Sequence, residues 1–272
     1  MLFSIVKILI GVSIGLVALV VLLYFSQDNL IFFPRTLSQE EADRIVRRYP
    51  NAENISIKAV DNTILKGWLV KNSILSKSPL IIYFGGNADE VSHLIPEAGK
   101  FKGWSLALIN YRGYGLNRGK PTENDLLNDA LSIYDYVSER EDVDDEKIIV
   151  MGSSLGTGVA VYLARVRRVR GVILVSPFES LASVARKKFP FLPVNLILRH
   201  HFDSISMAPF ISAPLLVLTA SEDTIIPPSH SKNLAEKWGG PHSITIIKGE
   251  GHNTISYSEI YWKSINDFLA QF

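Results

Sequence analysis

Two serines stand side by side between glycines in the stretch "KIIVMGSSLGTG", residues 147–158. Only one register of it reads Gly-x-Ser-x-Gly: Gly152, Ser153, Ser154, Leu155, Gly156. For Ser153 the two glycine positions are held by Met151 and Leu155. A serine on a sharp strand-to-helix turn is held in strained backbone angles that lift its hydroxyl clear of the sheet. It becomes a nucleophile once a base takes its proton. Ser154 is therefore the candidate nucleophile. Gly152 and Gly156 relieve crowding between strand and helix, and the helix N-terminus aims partial positive charge at any oxyanion formed there.

A serine needs a base, and the base needs an orienting acid. His252, in "KGEGHN", directly follows an apolar run and precedes the last helical stretch. The candidate acid is Asp223 in "TASEDTIIPP", with Glu222 as its rival one residue nearer the strand end. Nucleophile, acid and base then follow in the chain order expected with this elbow. The remaining histidines (His93, His200, His201, His230 and His242) read as core or surface residues. The tetrahedral oxyanion needs two donors. The amide of Leu155 is one. The other is expected in "YFGGNADE", where Gly85 and Gly86 let the backbone approach closely and Asn87 or a neighbour presents its amide. A plain glycine turn is the alternative.

Groups scattered over this much chain must be gathered by a sheet. Short β-rich runs occur at 55–60, 64–70, 80–86, 105–111, 147–152, 171–177, 215–220 and 243–249. From the third onward they are nearly continuously apolar, as in strands covered on both faces. Helical patterns separate them. Thr122 is placed to cap one whose stripe is Leu127, Leu131, Tyr134 and Val137. Pro228 opens another, and the last presents Ile260, Tyr261, Ile265, Phe268 and Leu269. An opening hairpin followed by repeated β-α units predicts an α/β fold: a mostly parallel eight-stranded sheet with helices on both faces. In such sheets reactive groups collect at the carboxyl ends of the strands, where all the candidates lie.

The first segment stands apart. Ile8 to Phe25 reads "ILIGVSIGLVALVVLLYF", uncharged and nearly all apolar. At 1.5 Å per residue it spans about 27 Å, enough for one transmembrane helix. Bulky residues follow where a signal peptidase would need small ones, so an uncleaved anchor over 1–25 is expected. The short basic tail favours a cytoplasmic N-terminus and an extracytoplasmic domain. Residues 26–52 read as a connector and 53–272 as the catalytic domain, with a small cap-like insertion at 178–214. There, Phe189, Phe191, Leu192 and Leu196 are available to line an acyl pocket or to touch lipid; a packed crossover helix is the plainer reading. The string Arg165, Arg167, Arg168 and Arg170 reads as a solvated helix end, or a site for anionic headgroups. A net charge of +1 argues against a nucleic-acid partner, and the absence of cysteine removes disulfides and thiolate chemistry.

Taken in order and spacing, "QDNLIFFP", "GGNA", "NYRGYG", "GSSLGTG", "SEDTIIPP" and "GEGHN" are similar to the α/β-hydrolase fold family. They most resemble its membrane-anchored branch related to eukaryotic alpha/beta-hydrolase domain 13 and Bem-type proteins. The resemblance implies Ser154 as nucleophile, Asp223 as acid, His252 as base, and Asn87 and Leu155 as oxyanion donors. One departure stands out: Gly85 replaces a histidine common at the oxyanion turn, which puts that loop's rigidity in question. The arginine of "YRGYG", Arg112, reads as a brace between strand ends. These residues predict acyl transfer to water with no cofactor. The expected substrate is an ester or thioester of a lipid-like or acylated molecule; the alternatives are a serine aminopeptidase or a silent membrane-anchored scaffold.

Overall fold

The computed structural model describes residues 2–73 and 75–272; Met1, the first residue of the expected anchor, lies outside them. All eight apolar runs become strands of one sheet: β1 (Ala52–Lys58), β2 (Ile64–Val70), β3 (Ser78–Phe84), β4 (Ser105–Ile109), β5 (Val143–Ser153), β6 (Gly171–Val175), β7 (Leu215–Ala220) and β8 (His242–Ile247). Their order is β1-β2-β4-β3-β5-β6-β7-β8. β2 runs antiparallel to both β1 and β4, and every other pairing is parallel. The expected hairpin and mostly parallel sheet are therefore present.

Alternation along each strand divides the core into two layers. Leu80, Ile82, Ile148, Val150, Val172 and Leu174 face one, and Ile81, Tyr83, Ile149, Met151, Ile173 and Val175 the other. Covering both faces is what the continuous apolar runs require. The helices are α1 (Leu2–Ile31), α2 (Gln39–Arg48), α3 (Glu123–Ser138), α4 (Gly156–Val166), α5 (Leu181–Lys188), α6 (Val194–Ile197), α7 (Ser204–Met207), α8 (Pro228–Glu236) and α9 (Glu259–Leu269). α3, α4 and α8 cover the first layer and α9 the second. Thr122 caps α3 by accepting from the Asp125 amide at 3.2 Å. The buried face of α3 is centred on Leu126, Ala130, Ile133 and Val137, one step round from the expected stripe, so Leu127 and Leu131 sit at its flank. On α9, Ile260 points outward and is half exposed, while Tyr261, Ile265, Phe268 and Leu269 pack inward.

α1 is the one helix among the described residues long and apolar enough to cross a membrane. It does not break at residue 25 but continues to Ile31. Gln27 and the following Phe32 are buried against the domain. Between β6 and β7 there is no long crossover helix; the insertion is built of α5, α6, α7 and a short 3-10 turn, Ala208–Phe210.

Candidate active site

β5 ends in the elbow. Ser154 has φ +50°, in the left-handed region that a side chain enters only when its surroundings hold it there. Its amide donates to the Val175 carbonyl of β6 (2.9 Å), and the Thr157 hydroxyl ties the Ser154 carbonyl to the first turn of α4 (2.6 Å). The two glycines are needed by space. A Cβ on Gly152 would run into the backbone of Gly156 and Thr157, and one on Gly156 into the carbonyls of Phe84 and Gly85 at the end of β3.

The loops after β7 and β8 bring two further candidates to this hydroxyl. His252 Nε2 lies 3.1 Å from Ser154 Oγ, and His252 Nδ1 lies 2.7 Å from Asp223 Oδ2. The other carboxylate oxygen of Asp223 accepts from the amides of Ile225 (2.9 Å) and Ile226 (2.7 Å). Burial by itself would push this carboxyl up; the hydrogen bonds from His252 and the Ile226 amide outweigh it and hold Asp223 below its ordinary range. An ionised Asp223 makes Nδ1 of His252 the protonated nitrogen and leaves Nε2 free to accept from the serine. Glu222 is exposed, with its amide spent on the Glu250 carbonyl (2.9 Å).

Among the described residues, the amides of Leu155 and Asn87 are engaged in no internal hydrogen bond, whereas that of Gly86 donates to Asp89 (3.3 Å). Gly86 and Ser154 are close enough that a Cβ on the glycine would sit 3.6 Å from the serine Cβ. The turn carrying Asn87 is firmly held despite Gly85. Tyr111 donates to the Gly85 carbonyl (2.9 Å), Tyr114 to the Asn87 carbonyl (2.6 Å), and Tyr83 to Asp89 (2.8 Å). The same Asn87 carbonyl accepts from the Phe33 amide (2.9 Å), and the Asn87 side chain donates to the Ile31 carbonyl (3.1 Å). A side chain at Gly85 would press on Asp89. Three tyrosines and an aspartate thus brace the turn, and the base of α1 joins them.

These bracing residues were not legible as part of the site. "YRGYG" spans a family-like loop, but only the fold carries its tyrosines to the turn after β3. Arg112 between them is a structural brace, bound to Asp129 of α3 (2.7 Å) and to Asp61 after β1 (2.5 Å). Beside the turn, His93 Nδ1 lies 3.0 Å from Asp89. Desolvation would lower the imidazole, but the Asp89 carboxylate lifts it to about 9. Two of the other histidines are tied elsewhere: His200 to Asp28 and His230 to Glu179.

Ser154, His252, Leu155 and Asn87 open onto one cavity of about 880 Å³, within the usual size range of small-molecule sites, about 300–1,000 Å³. Leu30, Ile31, Phe33, Phe178, Leu181 and Val184 supply apolar wall. Its two carboxylates, Asp89 and Glu97, are paired with His93 and Lys100. Among the described residues no group of three or more His, Asp or Glu side chains is disposed to hold a metal ion.

Comparison with known proteins bears on this arrangement. Residues 79–201 match the family described as alpha/beta hydrolase fold. An uncharacterized protein of Mycobacterium tuberculosis is 32% identical over 236 residues, spanning 86% of this chain and 83% of its own length. An uncharacterized membrane protein of Saccharomyces cerevisiae is 27% identical and covers 100% of this chain and 99% of itself. The protein bem46 of Schizosaccharomyces pombe is 29% identical over 92% of this chain and 87% of itself. Among solved structures, a Pyrococcus furiosus esterase superposes with a TM-score of 0.70 at 18% identity, over 89% of this chain and 98% of that one. That degree of identity speaks to the fold.

Proposed function

This chain belongs to the alpha/beta hydrolase fold family, and on that premise we propose that it is a serine hydrolase cleaving carboxylic esters or thioesters through an acyl-enzyme. The observation that carries the reading is the unbroken relay from Asp223 through His252 to Ser154, with contacts of 2.7 and 3.1 Å, ending on a serine with positive φ. Esterases among its structural neighbours are in keeping with it.

The chemistry follows from the positions. Ser154 Oγ attacks the acyl carbon as His252 Nε2 takes its proton, and Asp223 stabilises the imidazolium. The carbonyl oxygen becomes an oxyanion facing the amide of Leu155 at the N-terminus of α4 and that of Asn87 in the turn after β3. Collapse breaks the bond to the alcohol or thiol, which leaves with the proton from His252. Water then repeats the sequence on the acyl-enzyme and releases the acid, restoring Ser154. No step calls for a cofactor.

An ester or thioester fits better than an aminoacyl amide. A free α-ammonium needs an unpaired carboxylate, and both carboxylates lining the cavity already face cations. The apolar wall suits an acyl chain. α1 and the membrane name of the yeast relative support a single-pass membrane protein.

Labelling with a fluorophosphonate probe, alongside turnover of a short acyl ester, tests the reading. Ser154→Ala should abolish labelling and lower turnover by ~10⁴ to 10⁶, whereas Ser153→Ala should retain most of both. A dead Ser153→Ala with an active Ser154→Ala would overturn the assignment. Lack of labelling in the folded wild-type protein would favour a silent scaffold.

A further inference from the structure

Three large apolar side chains of the insertion take no part in the core. Phe191 is 98%, Leu196 84% and Phe189 50% exposed. None of them lines the cavity. Of the readings open to them from the sequence, neither lining an acyl pocket nor packing as a crossover helix is the one the fold adopts.

Their location is fixed by a polar clasp between the insertion and the base of α1. The Gln27 side chain donates to the Ile197 carbonyl (3.0 Å) and accepts from the Arg199 amide (2.7 Å). The Arg199 guanidinium reaches Asp28 (2.6 Å) and lies 5.4 Å from the centre of the Tyr24 ring. Buried His200 meets the same Asp28 carboxylate at 2.7 Å. α6, which carries Leu196, is thereby level with the segment from Tyr24 to Asp28.

Length converts that level into a depth. α1 is about 45 Å long at 1.5 Å per residue, against a hydrocarbon core of about 30 Å. With the N-terminal part of α1 filling the hydrocarbon, Tyr24 reaches the headgroup layer, where tyrosine is favoured. Gln27 and Asp28 follow just outside it. The tips of the insertion then meet the membrane interface and not bulk water.

Charge agrees. Arg186, Lys187 and Lys188 close α5 immediately before Phe189, and all three are exposed. Among the described residues none of them is paired with a carboxylate. Arg186 and Lys187 bond only neutral groups, Asn195 and Ser229, so their charge is not neutralised; exposed apolar tips flanked by such cations are what an anionic lipid surface receives. Three of the four arginines in the other basic string are committed: Arg167 pairs with Asp135, while Arg165 and Arg170 lie over Phe210 and Phe272. Finally, the cavity takes apolar wall from these same two elements, Leu30 and Ile31 of α1 and Leu181 and Val184 of α5.

We propose that the segment 186–199 is a second membrane contact, which seats Phe189, Phe191 and Leu196 in the headgroup layer beside α1. The substrate is then an acyl ester drawn from the bilayer itself, entering the cavity between the base of α1 and α5. The membrane contact stands independently of any catalysis; the substrate class rests on the serine-hydrolase reading.

The absence of native cysteine makes the contact directly measurable. An environment-sensitive dye is attached to Phe191→Cys in the full chain, reconstituted in vesicles of phosphatidylcholine and phosphatidylglycerol. A second sample carries the dye on Glu146→Cys, exposed at the opposite end of the sheet. Lipids bearing a quencher near the headgroup should quench the first dye and spare the second. Equal exposure of both to aqueous iodide, without lipid quenching, overturns the contact. For the entry route, Phe191→Asp combined with Leu196→Asp should slow turnover of a long-chain ester carried in the vesicles by about tenfold or more, and leave a water-soluble short-chain ester unaffected. Equal loss on both esters, or no loss on either, overturns that route. Should the wild type hydrolyse neither ester and resist fluorophosphonate, the hydrolase reading fails, and the dye measurement still decides the contact.

Discussion

The two sides of the cavity are built on opposite principles. On one, Ser154, Asp223 and His252 stand on short loops leaving buried strands, locked by backbone hydrogen bonds such as Ser154 to Val175 and Ile226 to Asp223. On the other, α1 and the insertion meet through side chains, chiefly Gln27, Asp28, Arg199 and His200, and leave large apolar groups outside. The proposed proton transfer needs heavy atoms within about 3 Å of each other, which the rigid side provides. The proposed capture of a lipid ester needs an apolar surface available to it, which the other side leaves exposed. The junction between them is the turn after β3, the proposed oxyanion turn, whose Asn87 is held jointly by Tyr114 and by the end of α1.

Substitutions can separate the sides. On the rigid side Asp223→Asn should lower turnover by ~10³ to 10⁴ on any ester, with little change in folding, while Glu222→Gln costs less than about tenfold. The reverse ranking would move the acid to Glu222. Because the Asp223 carboxyl is held below its ordinary range, its contribution to stability is present above the ordinary carboxylate pKa. That contribution is lost only as pH falls through the lowered native value. The carboxylate should therefore stay ionised through the ordinary carboxylate range, and paired melts of wild type and Asp223→Asn should show its contribution intact down to that range and fading only below it.

A graded truncation tests the junction. A chain beginning at Ser26 should leave the membrane or bind it only peripherally, and should keep most of its activity on a short soluble ester. One beginning at Arg35 loses the Ile31 carbonyl and Phe33 amide that hold Asn87, and buried Phe32 with them. Removing a buried phenylalanine side chain alone costs about 3–5 kcal/mol, so this chain should unfold at markedly lower denaturant and lose activity. Equal behaviour of the two chains would show that the base of α1 contributes nothing to the turn.

The smallest effect concerns His93, half exposed beside the oxyanion turn. Its native pKa is lifted to about 9, so its pairing with Asp89 stabilises fully below the unfolded value, about 6.5. The contribution fades as pH rises from there through about 9. A pair this exposed is worth at most about 1 kcal/mol. His93→Gln should thus lower Tm slightly at pH 6, and the difference should close by pH 10, as paired thermal melts would reveal. A constant difference would assign the effect to packing.

The strands, the elbow and the order of Ser154, Asp223 and His252 were written locally. A run of apolar residues is one element, a glycine pair is one turn, and neither needs distant partners to be read. The same holds for the apolar character of Ile8 to Phe25. What lay beyond local patterns was every relation across the fold. That Asp223 and not Glu222 meets His252 follows only from the way the β7 loop closes on it, because neighbouring carboxylates have the same chemistry until a partner selects one. The rigidity left in question by Gly85 was restored by Tyr83, Tyr111, Tyr114 and Asp89, brought together by the pairing of β3 with β4 and the loops that follow. The amino-acid order likewise made Phe191 and Leu196 apolar, but only the tertiary clasp on α1 turned them away from the cavity, since burial is decided by where neighbouring elements stop.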